Sequence, residues 1–207
     1  MGTWLALSKN DRFAAITNYR DPRYFKGARS RGEIVTNFLM DNRSMDEFLA
    51  ELIANRDEYG GFNVLLYDRH RFVHYNNILN EVNEITPGTH SLSNHSLNTP
   101  WPKVVKGREN LHKIISTHQK ELPIEKLFDL LADETVAPDE ELPHTGVGIE
   151  MERHLSSIFI KIPNYGTRTS TILLLDNENR VTFVERTYEN GEFQFDNQVE
   201  LALASKC

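Results

Sequence analysis

Thr171-Ile172-Leu173-Leu174-Leu175 is the stretch of this chain that decides the fold. A run of apolar residues with no polar alternation indicates a strand that is covered on both faces. Two turn sequences follow it, Asp176-Asn177-Glu178-Asn179 and Asn190-Gly191, and each is typical of a hairpin between neighbouring strands. Hairpins join antiparallel strands. The C-terminal part of the chain is therefore predicted to form an antiparallel sheet with other layers on both sides.

Further strands are predicted on either side of this segment. The expected strands cover residues 3–8, 12–18, 61–67, 71–75, 81–85, 89–93, 156–162, 167–175, 180–186 and 192–195. Two short helices are expected between residues 31 and 57, because Ser30–Glu33 and Ser44–Glu47 both have the spacing of a capping box. A third helix is predicted from Thr99-Pro100 to about His118, and a fourth from Pro123.

Two helix pairs and roughly ten strands predict an α+β fold. The expected architecture is a four-layer αββα sandwich, with two stacked antiparallel sheets and a helical layer outside each. Residues 1–207 are interpreted as one domain, since single α+β units often reach about 200 residues. Residues 133–150 are acidic and rich in turn-forming residues, so they are predicted to be a long mobile loop, with a functional lid as the alternative.

Composition excludes several classes of protein. The chain of 207 residues is 39% hydrophobic and 26% charged, which is ordinary for a globular protein. Its formal net charge of −7 argues against a nucleic-acid partner, because phosphate backbones require clustered cations. No stretch reaches the length of a membrane span. The single cysteine, Cys207, gives no disulfide framework, which is compatible with a cytoplasmic location.

Metal and nucleophile patterns are weak in this sequence. His70 and His74 straddle a predicted hairpin, and His112 and His118 are six residues apart on a predicted helix, so neither pair is placed to share a metal ion. We therefore expect no metal site, and solvated or hydrogen-bonded histidines instead. Cys207 has no base beside it and is expected to be an inert terminus.

Three segments carry candidate binding residues. The cationic stretch has Arg20, Arg23, Lys26, Arg29 and Arg31, the last two at a predicted helix start, where a carboxylate or phosphate is favoured. The alternative is a solvated basic face that answers nearby carboxylates. The segments 164–170 and 86–101 join strands to other elements through small polar residues, and their alternative is ordinary loop and cap chemistry.

Eight segments in register resemble one family. They are Gly2-Thr3-Trp4-Leu5, Thr17-Asn18-Tyr19, Arg31-Gly32-Glu33, Gly61-Phe62-Asn63, Thr86-Pro87-Gly88, Leu92-Ser93-Asn94, Thr99-Pro100-Trp101 and Tyr165-Gly166-Thr167-Arg168-Thr169. Together they are similar to the NRDE family, also called the transport and Golgi organisation protein 2 family. This resemblance implies a sandwich like that of N-terminal-nucleophile hydrolases. Family members begin with Met-Cys and carry Asn-Arg-Asp-Glu before Gly-Thr-Trp, so we expect this chain to be N-terminally truncated. The copy at Asn55-Arg56-Asp57-Glu58 is interpreted as coincidence.

The resemblance also implies roles for particular residues. Asn18 and Asn94 are expected to donate hydrogen bonds to an oxyanion or ligand carbonyl, and Arg168 to hold an anionic group. The remaining expected ligand-binding residues are Tyr19, Arg20, Arg29, Arg31, Ser93, Trp101, Tyr165 and Thr167.

Three functions remain open on the resemblance. The first is an intracellular binding or trafficking protein for a small molecule, related to haem or to lipid and acyl-CoA, with haem as cargo rather than cofactor. The second is a cysteine N-terminal-nucleophile amide hydrolase in full-length form, inactive in this chain because the nucleophile is absent. The third is a non-functional partial domain.

Overall fold

The computed structural model describes residues 2–118 and 121–203, so Cys207 lies outside the described residues. The chain divides into two compact units, Met1–Gly88 with Leu92–Thr99 and Thr89–Ser91 with Pro100–Cys207. Each unit combines helices with antiparallel strands. The α+β class is therefore confirmed.

The first unit has a five-stranded sheet and two helices. Its strands are β1 Leu5–Leu7, β2 Phe13–Asn18, β3 Phe62–Tyr67, β4 Phe72–Asn76 and β5 Glu81–Glu84, in the order β1-β2-β3-β4-β5. Each strand pairs antiparallel with the next. The helices α1 Gly32–Met40 and α2 Met45–Ala54 lie between β2 and β3 in the chain.

Alternate side chains of the strands pack against the two helices. Phe62, Val64 and Leu66 of β3 belong to the same buried cluster as Phe38 of α1 and Phe48 of α2. Because side chains of a strand point alternately to opposite faces, Asn63 and Leu65 lie on the other face of the sheet. The helices therefore cover one face of this sheet, and polar residues such as Asn63 belong to the opposite face.

Only one of the two predicted capping boxes forms. Ser44 Oγ accepts the N–H of Glu47 while the Glu47 carboxylate accepts the N–H of Ser44, as expected at the start of α2. At α1 the prediction was wrong, since Arg31 is the N-cap and makes no side-chain cap bond. The reason is competition, because the Glu33 carboxylate accepts from Arg29 Nε at 2.5 Å and from Tyr59 Oη at 3.1 Å.

The second unit has a three-stranded sheet, a two-stranded ladder and three helices. The elements are α3 Pro102–Thr117, α4 Ile124–Leu131, α5 Ile149–His154, β6 Lys161–Ile162, β7 Tyr165–Gly166, β8 Thr169–Leu175, β9 Arg180–Glu189 and β10 Glu192–Ala202. The three long strands are antiparallel in the order β10-β9-β8. Leu127 and Phe128 of α4 pack with Ile172 and Val184 of the sheet.

The two predicted hairpins are present. β8 and β9 pair across residues 176–179, and β9 and β10 pair across the Asn190-Gly191 turn. Asn190 and Gly191 have φ angles of 52° and 80°, as a type I′ turn requires at both central positions. The sequence therefore located the turns of this sheet correctly.

Several element boundaries differ from the predictions. Residues 89–93 form no strand, and of residues 156–162 only Lys161–Ile162 is extended in a ladder. The hydroxyls of Ser156 and Ser157 donate to the carbonyls of Arg153 and Phe159, which gives this backbone a local alternative to strand pairing. β9 and β10 continue to Glu189 and Ala202, well beyond their predicted ends.

Helix α3 begins at Pro102 rather than at Pro100. Trp101 has φ −70° and ψ 147°, because the ring of a following proline disfavours the helical conformation of the residue before it. A proline in the first turn of this helix was predicted correctly, but that proline is Pro102 and not Pro100.

The acidic segment 133–150 contains local structure of its own. Asp139–Glu141 forms a short 3-10 turn, and α5 begins at Ile149. Arg153 pairs with Asp139 at 2.6 Å. The mobility expected of this segment and the single-domain organisation stay predictions. Within residues 2–118 and 121–203, no helix combines the length and the apolar character needed to cross a membrane.

Candidate functional site

The end of β2 meets the loop of residues 93–95 in the first unit. Thr17 Oγ1 donates to the Ser93 carbonyl at 2.9 Å, and Asn94 Nδ2 donates to the Asn18 carbonyl at 3.0 Å. The backbone N–H of Arg20 donates to the Asn94 carbonyl at 2.6 Å. We call Asn18, Tyr19, Arg20, Asn94 and His95 the strand-end cluster, since these hydrogen bonds hold the two segments side by side.

A buried polar network lies behind this cluster. Asn63, His74 and Asn76 have no exposed surface. His74 Nε2 donates to Asn63 Oδ1 at 2.9 Å, and Asn76 Nδ2 donates to the same oxygen at 2.7 Å. Asn63 Nδ2 reaches Thr17 Oγ1 at 3.3 Å. The network therefore fixes the Thr17 hydroxyl that holds the Ser93 loop, and His74 is hydrogen-bonded as expected.

Tyr19 and His95 form one wall of the cluster. The Thr99 hydroxyl donates to the Ser96 carbonyl at 2.8 Å, so it accepts from His95 Nδ1 at 3.1 Å. His95 Nε2 then accepts from the Tyr19 hydroxyl at 2.9 Å. Burial raises the pKa of Tyr19 and lowers the pKa of His95. Both side chains are therefore held neutral near pH 7, and the wall is polar without being charged.

Arg20 brings a positive charge into the same cluster. The residue is only 7% exposed, and its guanidinium donates from Nη2 to Asn94 Oδ1 at 3.4 Å. Since Asn94 Nδ2 is taken by Asn18, the Asn94 side chain connects β2 to Arg20. The amide and the guanidinium are therefore positioned together.

Arg31 reaches the edge of the cluster through Gly61. Arg31 Nη1 donates to the Gly61 carbonyl at 2.9 Å, and the N–H of Tyr19 donates to that same oxygen at 2.9 Å. A Cβ at Gly61 would lie 2.9 Å from Tyr19 Cβ and 3.0 Å from Tyr24 Cβ, so only glycine allows this approach. The close packing of Gly61 thus sets the position of Arg31 beside Tyr19.

No carboxylate in the part of the chain that the structure describes neutralises the positive charge of Arg31. Its guanidinium makes the one hydrogen bond to Gly61 and no ion pair with any described carboxylate. Partial burial lowers the pKa of Arg31 from its ordinary value. A half-buried cation that meets only a neutral carbonyl favours an anion beside it.

Arg29 behaves differently although it is only two residues away. Its guanidinium pairs with Glu33 at 2.5 Å and Glu58 at 3.0 Å, and it stacks over the Tyr59 ring at 5.1 Å. Its charge is therefore compensated on the surface. Glu58 belongs to the Asn-Arg-Asp-Glu copy, so part of that copy serves this ion pair.

The other predicted ligand-binding residues belong to the second unit. Trp101 is 9% exposed and precedes α3. Thr167 Oγ1 accepts the N–H of Ile160 at 3.0 Å, which is a structural role. Tyr165 is 58% exposed on β7. Arg168 is exposed, and its carbonyl accepts the N–H of Tyr188 at 2.8 Å.

Two cavities lie outside the strand-end cluster. One of about 540 Å³ in the second unit is lined by Lys103, Lys106, Asp133 and Val136 among others, with Lys106 paired to Asp133 at 2.5 Å. One of about 360 Å³ lies beside α1 and α2 and includes Arg29. Their linings include none of the strand-end cluster residues.

Comparison with known proteins identifies the family. A family profile described as Transport and Golgi organisation 2 matches residues 1–190. The chain belongs to the Transport and Golgi organisation 2 family. It is similar to the Transport and Golgi organization protein 2 homolog of Homo sapiens, with 35% identity over 199 residues, 90% of this chain and 72% of that protein. The homolog of Bos taurus is 34% identical over 199 residues, with the same shares covered.

More distant relatives extend the family beyond mammals. The Transport and Golgi organization protein 2 of Drosophila melanogaster is 26% identical over 209 residues, again 90% of this chain and 72% of that protein. Within the Transport and Golgi organisation 2 match of residues 1–190, the Gly2-Thr3-Trp4 and Arg31-Gly32-Glu33 segments touch. A Cβ at Gly2 would lie 2.6 Å from the carbonyl carbon of Gly32. These family-like segments are thus joined by a close backbone contact.

Sequence reasoning found part of this candidate site. Asn18, Tyr19, Arg20, Ser93 and Asn94 were predicted and lie together. His95 and Asn76 were not singled out, Asn63 and Thr99 were named only within family-like segments, and His74 was expected only to be solvated or hydrogen-bonded. Alternation along β4 would have been a signal, because Phe72-Val73-His74-Tyr75-Asn76 places polar side chains on one face of a strand with no exposed neighbour. No grouping of three or more His, Cys, Asp or Glu side chains suited to a metal ion occurs among the described residues.

Proposed function

We propose that this chain binds a small anionic ligand of the haem or acyl-CoA type at the strand-end cluster and Arg31. The observation that carries the proposal is the guanidinium of Arg31, half-buried and without a carboxylate partner among the residues described. A haem propionate or an acyl-CoA phosphate would supply the missing negative charge. Guanidinium groups bind both anions through paired hydrogen bonds.

The rest of the cluster suits the remainder of such a ligand. Arg20 and Asn94 supply a second cation and an amide, and they already lie within 3.4 Å of each other. Tyr19 and His95 form a neutral aromatic pair with ring centroids 5.0 Å apart, in which Tyr19 is buried and His95 is partly exposed. Aromatic walls with a few fixed polar groups are the usual lining of small-molecule sites.

The ligand class itself rests on the family resemblance. Family membership supports a role shared with the Transport and Golgi organization proteins, whose names refer to transport. The αββα architecture of N-terminal-nucleophile hydrolases is part of the same proposal, and the helix-on-sheet layering within each unit supports it.

The test compares two neighbouring arginines. Arg31→Gln and Arg29→Gln remove the same charge two residues apart, but only Arg31 lacks a carboxylate partner in the described chain. Each variant and the parent chain are titrated with haem, followed by the Soret band, and with a long-chain acyl-CoA, followed by calorimetry. We expect Arg31→Gln to weaken binding about 10- to 100-fold, as loss of a charged hydrogen bond does. Arg29→Gln should leave affinity nearly unchanged.

Thermal melting of all three proteins separates binding from folding. The proposal fails if the parent chain gives no saturable change with either ligand. It also fails if Arg31→Gln binds as tightly as Arg29→Gln while both variants melt like the parent.

A further inference from the structure

Strand β10 is a long edge strand. Glu192–Ala202 pairs on one side with β9 and ends the three-stranded sheet, so its other side has no strand partner among the described residues. Every residue from Glu192 to Glu200 is exposed. Phe193, Phe195 and Val199 are exposed by 57%, 51% and 51%. This edge therefore presents both backbone hydrogen-bonding groups and apolar side chains.

Strand β10 is only partly protected as an edge, because its bulge lies near its start, between Phe193 and Phe195, and leaves Phe195–Ala202 in regular register. Native edges are commonly blocked by lysine, proline or a short strand. The sequence of β10 has no Lys, Arg or Pro. Its acidic side chains are partly neutralised within the chain, since Glu192 pairs with Lys161 at 2.9 Å and Asp196 with Arg186 at 2.8 Å. The edge is thus open to another strand.

We propose that β10 pairs with β10 of a second copy of this chain, antiparallel about a two-fold axis at Asn197. The two three-stranded sheets would then form one six-stranded sheet. A two-fold axis uses the same surface on both copies, so the strand must be complementary to itself.

The register at Asn197 provides that complementarity. Phe195, Asn197, Val199 and Leu201 lie on one face of β10, because they face successive same-side residues of β9. With the axis at Asn197, the two copies of Asn197 face each other, and Phe195 of each copy faces Val199 of the other. Asp196 faces Gln198, so no like charges are opposed. Apolar cross-strand pairs stabilise such a ladder and opposed like charges weaken it.

Four neighbouring registers are disfavoured by charge or by burial. An axis at Asp196 or Glu200 would place a carboxylate opposite itself, and an axis at Gln198 would place Asp196 opposite Glu200. An axis at Val199 would need Leu203 opposite Phe195. Leu203 is only 4% exposed and donates its N–H to the Asn179 carbonyl at 2.9 Å, so it is not available.

The first experiment measures association of the full chain by sedimentation velocity over a concentration series. Asn197→Lys places two lysines opposite each other in the dimer, whereas Gln198→Lys places each lysine opposite Asp196. We expect Asn197→Lys to raise the dimer dissociation constant about fivefold, the scale of one opposed pair. Gln198→Lys carries the same charge one residue away and should leave dimerisation intact or strengthen it.

The second experiment tests the register directly by disulfide crosslinking. Asn197→Cys and Gln198→Cys are made in a Cys207→Ser background and oxidised. Directly opposed residues have Cα atoms about 4.5–5.5 Å apart, within disulfide range. Two copies of residue 198 would be diagonal neighbours at about 7–8 Å and too distant. We therefore expect a crosslinked dimer with Asn197→Cys and little with Gln198→Cys.

The outcomes decide the proposal in both directions. A concentration-dependent dimer that Asn197→Lys weakens and Asn197→Cys captures supports it. A chain that sediments as a monomer up to its solubility limit overturns it. A dimer that is indifferent to Asn197→Lys, or equal crosslinking of both cysteine variants, overturns the register and the surface.

Discussion

Arg12 connects strand β2 to the end of helix α1. Its guanidinium donates to the carbonyls of Phe38 at 3.0 Å and Asp41 at 2.6 Å, and also to the carbonyl of Arg43. It lies 4.9 Å from the centroid of the Phe38 ring. The last carbonyls of a helix have no partner within the helix and carry partial negative charge. A single side chain therefore binds the carbonyls at the C-terminal end of α1 and attaches that end to the start of β2.

We predict that Arg12→Ala lowers the free energy of unfolding by about 2–3 kcal/mol, because charged hydrogen bonds to backbone carbonyls are lost. Arg12→Lys should fall between the parent and Arg12→Ala, since an ammonium cannot reproduce the fork of contacts. Urea denaturation measures the change. Arg180→Ala, which removes a side chain that is 66% exposed, is the control and should change stability by less than about 0.5 kcal/mol. Equal losses in both alanine variants would refute this role of Arg12.

Individual residues of the candidate site were only partly predictable from sequence. Asn18, Tyr19 and Asn94 lie in short segments with strong turn or strand character, so their clustering follows from the order of the elements. Arg29 and Arg31 look alike in the sequence, yet only Arg29 meets Glu33 and Glu58. Glu33 is four residues from Arg29 and could be inferred from the local spacing, but the contact with Glu58 depends on where the chain runs after α2, which no local sequence pattern predicts.

At the scale of elements, the helix starts offer a matched comparison. Ser44 caps α2 with a complete capping box, whereas Ser30 makes no cap bond at α1. We predict that Ser44→Ala destabilises the protein by about 1 kcal/mol. Ser30→Ala should stay within about 0.5 kcal/mol of the parent. Thermal denaturation of the two variants measures the difference, and a Ser30→Ala effect as large as that of Ser44→Ala would contradict the observed caps.

Elements with strong local signals were predicted, and those set by long-range contacts were not. The apolar β8 and its turn before β9 appear in the sequence, as does the alternation of β4. β10 continues through Asp196 and Asn197, which have low strand propensity, because ladder pairing with β9 holds them extended. The sequence of residues 156–160 favours a strand, but the hydroxyls of Ser156 and Ser157 donate to nearby backbone carbonyls and give this segment a different local conformation. Propensity is a weak guide where ladder pairing, as in β10, or local side-chain hydrogen bonds, as in residues 156–160, decide the backbone conformation.

At the scale of the whole molecule, pH links the buried network to stability. Burial lowers the pKa of His74 to about 4, from an ordinary value of 6.5. Folded chain therefore keeps His74 neutral between these values, while unfolded chain binds a proton. The contribution of neutral His74 to the free energy of unfolding is fully present above about pH 6.5 and is lost as the pH falls toward 4. Hydrogen bonds from Arg43 lower the pKa of Asp41 to about 2, so the contribution of this carboxylate to stability is lost only at lower pH than that of His74.

We predict that acidification from pH 6.5 to 4 lowers the free energy of unfolding of the parent by about 3 kcal/mol through His74 alone. His74→Gln should be less stable at pH 7, because the Asn63 network is disturbed, but it should lose that much less on acidification. His70→Gln removes an exposed histidine and should follow the parent. Urea denaturation at several pH values, followed by Trp4 fluorescence in a Trp101→Phe background, measures these curves. Parallel curves for His74→Gln and His70→Gln would show that the buried histidine does not set the acid sensitivity of this molecule.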